Sequence, residues 1–591
     1  MCGIIGYRGT GKGPAIVIQG LKKLEYRGYD SWGIAVKSKD RIKVRKETGQ
    51  IGAAKGLDAT GDGSTAIGHT RWATHGNVSR ENAHPHMSTD NKIAVVHNGI
   101  IDNYQELKTR LANYKFVSQT DTEVIPLLIK ENMDKGHDFT TAVRLALNDL
   151  DGTFAIVAMH EDYDQMICAK KGSPLVIGVG DNEFFVASDS PAFVEHTRDA
   201  IILKDNDMAV IRDNIGIMNY VTGEDVQRDI SRIDYSVEDA GKGDYEHFML
   251  KEIHEQPDVV NRTIQGRISK KRTLLPEVDI DMKKVKRIVM VGCGTAYYAC
   301  LVGEYMIESI SGIRVETEYA SEFRYRKPLV DRDTLVIAVT QSGETADTLA
   351  AIQEAKRKKA KTLSVVNVVG SSIARESDQV VYTRAGPEIG VASTKAFTSQ
   401  LCVLYLLANM FAGKDPGKIA SVGKLIGKIL KDEKRIMEIA DQYHLKNNFL
   451  YLGRGINFPI ALEGALKLKE ISYIHAEGQS AAEMKHGPIA LIDNQMPCVF
   501  IAPKDSTYSK IVGNIEEVKA RGGSVIAIAT QGDEQMKKLA DDVIFVPKEA
   551  DEMLQPLLTV IPLQIIAYYI ANYRNCEIDK PRNLAKSVTV E

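Results

Sequence analysis

The 591-residue sequence contains no Cys-x-x-Cys pair, and its seven cysteines (Cys2, Cys168, Cys293, Cys300, Cys402, Cys498 and Cys576) are odd in number and widely spaced. That excludes a disulfide-stapled scaffold and predicts a reduced, cytoplasmic protein. No charge of one sign dominates: 75 basic residues stand against 78 acidic ones, and no dense basic run occurs. A nucleic-acid partner or an anionic membrane surface is therefore not expected. Long apolar runs are also missing. Leu401 to Ala412 is too short to span a bilayer, Pro556 to Ala571 is interrupted by Pro562 and Gln564, and both read as buried core helices. The first residues carry neither a charged n-region nor an apolar h-region, so no signal peptide is expected.

Cofactor motifs are incomplete as well. The stretch from Gly6 to Gly13 keeps the Walker spacing until Gly13 replaces the magnesium-binding Ser or Thr. Two Gly-x-Gly segments, Gly292–Gly294 and Gly453–Gly455, lack the third glycine of a dinucleotide fingerprint, because Tyr297 and Phe458 occupy its place. His69, His75, His84, His86 and His97 are close in sequence but have no partner cysteine at a zinc-ligand spacing. No nucleotide, nicotinamide or metal cofactor is called for.

What is present begins with Cys2. If the initiator methionine is removed, this residue carries both a thiol and the free α-amino group, a nucleophile and its own base. Their ordinary pKa values, ~8.5 and ~7.7–8.0, put each within reach of the other's proton at neutral pH. A small buried hydrophobe is the alternative for an isolated Met-Cys start. The length and an apolar fraction of 44% allow several domains, each with its own core. From residue 2 to about 222, short β-like runs (Gly3–Tyr7, Gly33–Val36, Thr65–Thr70, Ile93–His97, Phe154–His160 and Gln165–Lys170) alternate with helical patterns opened by Pro14, Asp121 and Phe139. This order predicts an α+β domain in which helices cover stacked sheets.

Three stretches there carry polar chemistry. Arg71 and Trp72 are expected just past a strand, where an arginine can grip a small carboxylate bidentately. Asn98 and Gly99 are expected at a strand end, where a side-chain amide and a backbone N–H together suit an oxyanion. Asp121, at a helix start, offers a partner for an ammonium group, although a cap or turn explains Asp121 or Asn98 taken singly. Joined to Cys2-Gly3-Ile4-Ile5-Gly6 and Tyr26-Arg27-Gly28-Tyr29-Asp30-Ser31, these stretches resemble the glutaminase domain of the N-terminal-nucleophile (Ntn) amidotransferases, a layered αββα fold. The resemblance implies that Cys2 attacks the glutamine amide, Asn98 and Gly99 hold the oxyanion, and Arg71 and Asp121 bind the glutamine head group. Trp72, Thr74 and His75 would line the pocket, and Arg27 would support Cys2. Trp32 departs from the small residue usual in that family.

Residues 223–244 are charged and aperiodic, as expected of a linker, and Tyr245 to Pro257 reads as a helix stopped before its proline. The rest, 245–591, repeats itself with a period of about 160 residues, predicting lobes at 280–415 and 445–580 and a tail at 581–591. Strands near 288–292, 334–339, 362–366 and 378–381 recur near 449–453, 497–502, 524–528 and 541–544. Apolar strands alternating with helices indicate an α/β domain of two doubly wound parallel sheets, with ligands at the carboxyl ends of the strands. The turn Thr340-Gln341-Ser342-Gly343-Glu344-Thr345 stands at such an end and suits a phosphate; an ordinary N-cap is the alternative. On the helix around 461–471, Leu462, Leu466 and Ile471 are expected to face the core, with Glu463, Lys467 and Glu470 on a neighbouring stripe.

These lobes resemble the sugar-isomerase (SIS) module. With Ser321–Arg326, Glu388–Phe397, Ala461–Glu470, Lys485-His486-Gly487-Pro488 and Pro581–Ser587, nearly the whole chain is identified in order with the glucosamine-6-phosphate synthases, which aminate and isomerise fructose 6-phosphate using glutamine in hexosamine biosynthesis. That resemblance implies that Thr295, Thr340, Gln341, Ser342 and Thr345 hold the phosphate and that Val391 and Ala585 complete the sugar site. It also implies that Lys586 forms a Schiff base, Glu470 moves a proton between C1 and C2, and His486, from a neighbouring subunit of a homodimer, assists ring opening. Lys467 and Glu463 would support them. Ammonia would pass internally between the sites, gated by Trp72 and the tail. Ala296, Thr340 and Gln479 depart from the family's usual residues. Two rivals are a plain glutaminase or deglycase and a phosphosugar-binding regulator, although no helix-turn-helix or basic patch accompanies the second.

Overall fold

The computed structural model describes every residue except 1, 39–40, 53–62, 74–75, 234–240, 550 and 590–591. It divides into two compact units, one running through Gly241 and including the tail from Ala585, the other Lys242–Leu584. The division falls within the stretch expected as a linker. The early part of that stretch is not free chain: Ile230–Arg232 forms an edge strand paired with Asp199–Ile201.

In the first unit an eight-stranded sheet, ordered 230–232, 199–202, 176–179, 184–187, 3–8, 65–71, 31–38 and 41–48, faces a six-stranded sheet ordered 215–219, 207–211, 166–171, 152–160, 93–101 and 86–87. Ile4, Ile67 and Val186 from one sheet pack with Val96, Val157 and Met166 from the other. The helix Gly13–Leu24 covers the first sheet through Val17, Ile18 and Leu21, whereas Val124–Asp134 and Phe139–Asn148 cover the second. Because strand Gly3–Arg8 is covered on both faces, all six of its residues are buried. That is why its sequence reads as a continuous apolar and glycine run without alternation.

Four boundaries differ from those expected, one of them the helix expected to open at Asp121, which starts at Val124. Arg71 is the last residue of strand Thr65–Arg71, and Asn98 and Gly99 lie inside strand Ile93–Ile101 instead of at its end. The first helix starts at Gly13, so Pro14 is its second residue, a position whose N–H has no partner in a helix anyway.

The second unit holds two five-stranded parallel sheets. Their orders are 315–319, 287–292, 334–340, 361–366, 379–382 and 475–480, 448–453, 498–502, 525–530, 542–546, the same arrangement twice. The central strands are buried runs such as TLVIAVT and VIAIAT. Edge strands Val315–Tyr319 and His475–Ser480 are half exposed and polar, so they carry no apolar signal. Helices Thr295–Ser311, Lys395–Ala412, Asn457–Ser472 and Pro556–Tyr573 join one core between the lobes. Among the described residues one segment, Glu552–Tyr573, is long and apolar enough to cross a membrane, and 89% of its apolar window is buried inside this unit. Pro257 does not end a helix: Phe248–His254 stops earlier, and Pro257 sits in the first turn of the next helix, Gln256–Ile264.

Candidate active site

Cys2 immediately precedes strand Gly3–Arg8, whose register sets Gly3 opposite Thr70 and so brings Cys2 to the end of strand Thr65–Arg71. There the Trp72 N–H donates to Cys2 Sγ at 3.2 Å. The Cys2 carbonyl accepts from Asn98 Nδ2 at 2.9 Å and from Arg27 Nε at 3.2 Å, and Arg27 is itself paired with Asp189 at 3.2 Å. Burial pushes the Cys2 thiol up, against the pull of the Trp72 N–H, Arg71 and Arg27. A thiol raised in this way acts as a nucleophile only with a base at hand, the part expected of the Cys2 α-amino group once Met1 is removed.

Strand Ile93–Ile101 of the facing sheet supplies the remaining geometry. Gly99 has φ +133°, and a Cβ built on it falls 1.9 Å from the Thr153 carbonyl oxygen, so no other residue fits. Asp121 is buried, and its Oδ2 accepts the Ile101 N–H at 2.8 Å, which ties the carboxylate to the strand carrying Asn98 and Gly99. Arg71 is buried too; burial lowers its pKa, and the charges of Cys2, Asp30 and Asp121 oppose that fall. Thr74 and His75 lie outside the described residues. Asp30, to which sequence reasoning assigned no role, accepts the Ala73 N–H at 2.8 Å, while its own N–H donates to the Arg71 carbonyl at 2.9 Å. It thereby braces the loop that carries Trp72. The signal for it was present in the Tyr26–Ser31 motif.

In the second unit, strands 287–292 and 334–340 are parallel neighbours, with Val291 opposite Ala338, so Thr295 and the 340–345 turn rise from the same edge. Thr340 Oγ1 accepts the Gly343 N–H at 3.2 Å and Ser342 Oγ accepts the Glu344 N–H at 3.1 Å. Gly343 has φ +66°, with Ser371 pressed against it. Thr345 is the N-cap of helix Ala346–Arg357 and makes no side-chain cap bond, an arrangement that suits an anion at the helix dipole. The Val391 N–H donates to the Asp579 carbonyl at 3.0 Å, near the chain's final turn.

Helix Asn457–Ser472 buries Ile471 as expected but departs from the expected facing at the two leucines and at Glu463 and Lys467. Glu463 and Lys467 are fully buried, whereas Leu462 and Leu466 are only half buried. Lys467 Nζ lies 2.7 Å from Glu470 Oε2, 3.4 Å from Glu463 Oε1 and 3.0 Å from Thr295 Oγ1, which in turn donates to Glu463 Oε1 at 3.3 Å. Burial works to lower the Lys467 pKa, but Glu463 and Glu470 outweigh it and keep the ammonium charged. Burial raises Glu463 to about 8, with Glu470 adding to the rise and Lys467 opposing it. Below about pH 8 Glu463 thus keeps its proton beside the charged Lys467.

This raised value sets a pH dependence. An unfolded glutamate titrates near ~4.3, so between there and about 8 the folded chain holds a proton that the unfolded chain has lost. The contribution is complete below the lower value and is lost as pH rises through the upper one. Glu463→Gln, which keeps the shape of the protonated acid, is expected to flatten the decline in stability between pH 5 and pH 8. Denaturant unfolding at the two pH values checks this, and an unchanged decline contradicts it.

Comparison with known proteins places both halves. The description "Glutamine amidotransferase domain" matches residues 69–195, and "SIS domain" matches twice, at 281–410 and 443–572, each segment containing one of the parallel sheets. The glutamine–fructose-6-phosphate aminotransferase (isomerizing) of Chlorobaculum tepidum is 49% identical over 615 residues, with 100% of both chains covered. The chain belongs to this aminotransferase family. The Thermus thermophilus member is 47% identical over 609 residues, again with 100% of both chains covered. Among solved structures, the C-terminal domain of glucosamine-fructose-6-phosphate aminotransferase from Francisella tularensis is 38% identical with a TM-score of 0.54, covering 58% of this chain and 100% of its own. Arg71, Asn98, Gly99 and Asp121 thus lie within the matched amidotransferase segment, and Glu463, Lys467 and Glu470 within the second SIS segment.

Proposed function

We propose that this chain transfers the amide nitrogen of L-glutamine to D-fructose 6-phosphate and isomerises the product, releasing D-glucosamine 6-phosphate and L-glutamate. Cys2 attacks the amide carbon, and the oxyanion is held by Asn98 and the Gly99 N–H. Ammonia departs with a proton, leaving a thioester that water hydrolyses to glutamate. Arg71 and Asp121 bind the carboxylate and ammonium of glutamine, Trp72, Thr74 and His75 line its pocket, and Arg27 steadies Cys2. Ammonia is kept from bulk water, which would protonate it, and reaches the sugar internally, with Trp72 and the tail closing the route.

On the sugar side Thr295, Thr340, Gln341, Ser342 and Thr345 hold the phosphate, with Val391 and Ala585 against the sugar. Lys586 forms a Schiff base at C2. Ammonia displaces the Lys586 amine from C2; Glu470 then moves the C1–H proton to C2 while the O1–H proton passes to the nitrogen, which turns the 2-imine into a 2-amino aldose. Lys467 and Glu463 set the charge beside Glu470. His486, exposed on a short turn at Glu483–His486, assists ring opening from a neighbouring subunit of a homodimer. The observation that carries this reading is the joint presence of a half-buried Cys2 bonded to Trp72 and linked to Asn98, and a phosphate-suited turn with a charged Lys467 cluster in the SIS half. Lys586→Arg keeps the charge but cannot form the imine. It is expected to leave glutamine hydrolysis within about tenfold and to reduce amination by more than about 10³-fold. Amination at the wild-type rate removes the Schiff base from the account.

A further inference from the structure

Four of the five clustered histidines, His69, His84, His86 and His97, are described, and all are buried behind the Cys2 site. His69 Nε2 lies 2.9 Å from the His97 carbonyl oxygen and 3.0 Å from Asn98 Oδ1. A backbone carbonyl can only accept, so Nε2 carries the ring proton. The Asn98 atom facing that N–H must then be its oxygen. Its nitrogen is consequently the end turned to the Cys2 carbonyl, at 2.9 Å. Reversing the amide would set N–H against N–H at His69 and oxygen against oxygen at Cys2. The tautomer of one imidazole thus dictates which end of the amide faces the nucleophile.

The ring is itself fixed. It stacks on His84 with centroids 4.0 Å apart and planes at 13°, and His84 Nδ1 accepts the His97 N–H at 3.2 Å. His84 meets His86 edge-on at 4.7 Å, and His86 Nε2 is 3.1 Å from Thr120 Oγ1. Among the described residues His69 Nδ1 has no hydrogen-bond partner, as suits an unprotonated ring nitrogen and not an N–H. Burial, partly opposed by the Asn98 and His97 bonds, lowers His69 to about 3, so the ring stays neutral over the pH range in which a thiolate forms.

We propose that His69 is a positioning residue for glutamine hydrolysis, its Nε2–H holding the Asn98 amide with the N–H end toward the oxyanion that develops at Cys2. One N–H of Asn98 bonds the Cys2 carbonyl, and the second is the donor offered to the oxyanion. This inference rests on the oxyanion role given to Asn98 above.

The test measures glutaminase kcat and KM for His69→Phe, His69→Gln, Asn98→Ala and the double variant His69→Phe/Asn98→Ala, with iodoacetamide alkylation of Cys2 as the check that the pocket is intact. Phenylalanine keeps the stack and removes the donor; glutamine returns an N–H near the Nε2 position. The expected result is a kcat about 10–100-fold lower in His69→Phe with the glutamine KM within about threefold, because Arg71 and Asp121 still bind the head group. His69→Gln should recover most of the loss, and His69→Phe should cost less than about twofold more when added to Asn98→Ala. Full additivity, no recovery by glutamine, or wild-type kcat in His69→Phe overturns the proposal. Should the phenylalanine variant not fold, His69→Asn, whose amide sits at the Nδ1 position, takes its place with the same outcomes. Wild-type hydrolysis by Asn98→Ala would instead overturn the oxyanion role itself, whereas loss in Asn98→Ala with none in His69→Phe overturns only the role of His69.

Discussion

Replacing Cys2 by alanine is expected to lower glutaminase turnover by at least about 10³-fold and to end glutamine-driven synthesis, while fructose 6-phosphate binds within about twofold of its wild-type affinity. The first effect follows from chemistry: without Sγ no thioester forms, and the oxyanion donors alone can only assist attack by water. The second follows from the fold. The phosphate-suited turn and the Lys467 cluster belong to the Lys242–Leu584 unit, which has its own core, so removing one sulfur from the other unit leaves them intact. Structural damage is also small, because the alanine loses only the sulfur contacts to the Trp72 N–H and carbonyl, while the Cys2 carbonyl keeps its bonds from Asn98 and Arg27. Glutamate release and calorimetric titration with fructose 6-phosphate measure the two effects. Hydrolysis at the wild-type rate would show that another group is the nucleophile.

Lys467→Met is expected to destabilise the second unit by about 3–5 kcal/mol and to abolish amination, with glutamine hydrolysis retained. Methionine has nearly the length of lysine, so the loss does not come from a cavity. It comes from charge: Glu470 loses its partner at 2.7 Å, Glu463 loses the cation that opposes its rise, and Thr295 loses a donor at 3.0 Å. Removing the buried cation leaves its carboxyl and hydroxyl partners short of a donor and of a counter-charge, which costs far more than the loss of a surface pair does. Denaturant unfolding, followed by a probe in the second unit, reads the stability change. An unfolding midpoint equal to that of the wild type would mean that the cluster contributes nothing to the fold.

Much of this was legible in the sequence, and the failures share physical causes. Central strands such as Thr334–Thr340 are buried on both faces and announce themselves as apolar runs, so both lobes and their repeat could be read directly. Edge strands Val315–Tyr319 and His475–Ser480 bury little and carry no apolar run, so they are absent from the expected strands. Asn98 and Gly99 interrupt an apolar pattern and so seemed to end a strand that runs on to Ile101. On helix Asn457–Ser472 Ile471 is inside as expected, but periodicity assumes leucine inside and charge outside, and the buried Lys467–Glu463 pair breaks that assumption. His69 stood out only as one of a histidine group. Its bond to Asn98 joins two strands 29 residues apart, a relation that no local pattern records.

The account stands or falls on nitrogen transfer within one chain. The most direct measurement supplies amide-¹⁵N glutamine and fructose 6-phosphate in a buffer containing unlabelled ammonium, and determines both the ratio of glutamate to glucosamine 6-phosphate and the isotope in the amino sugar. Near-equal products with the label retained is the predicted result. Glutamate formed without amino sugar, or amino sugar carrying the unlabelled nitrogen of the buffer, would contradict it.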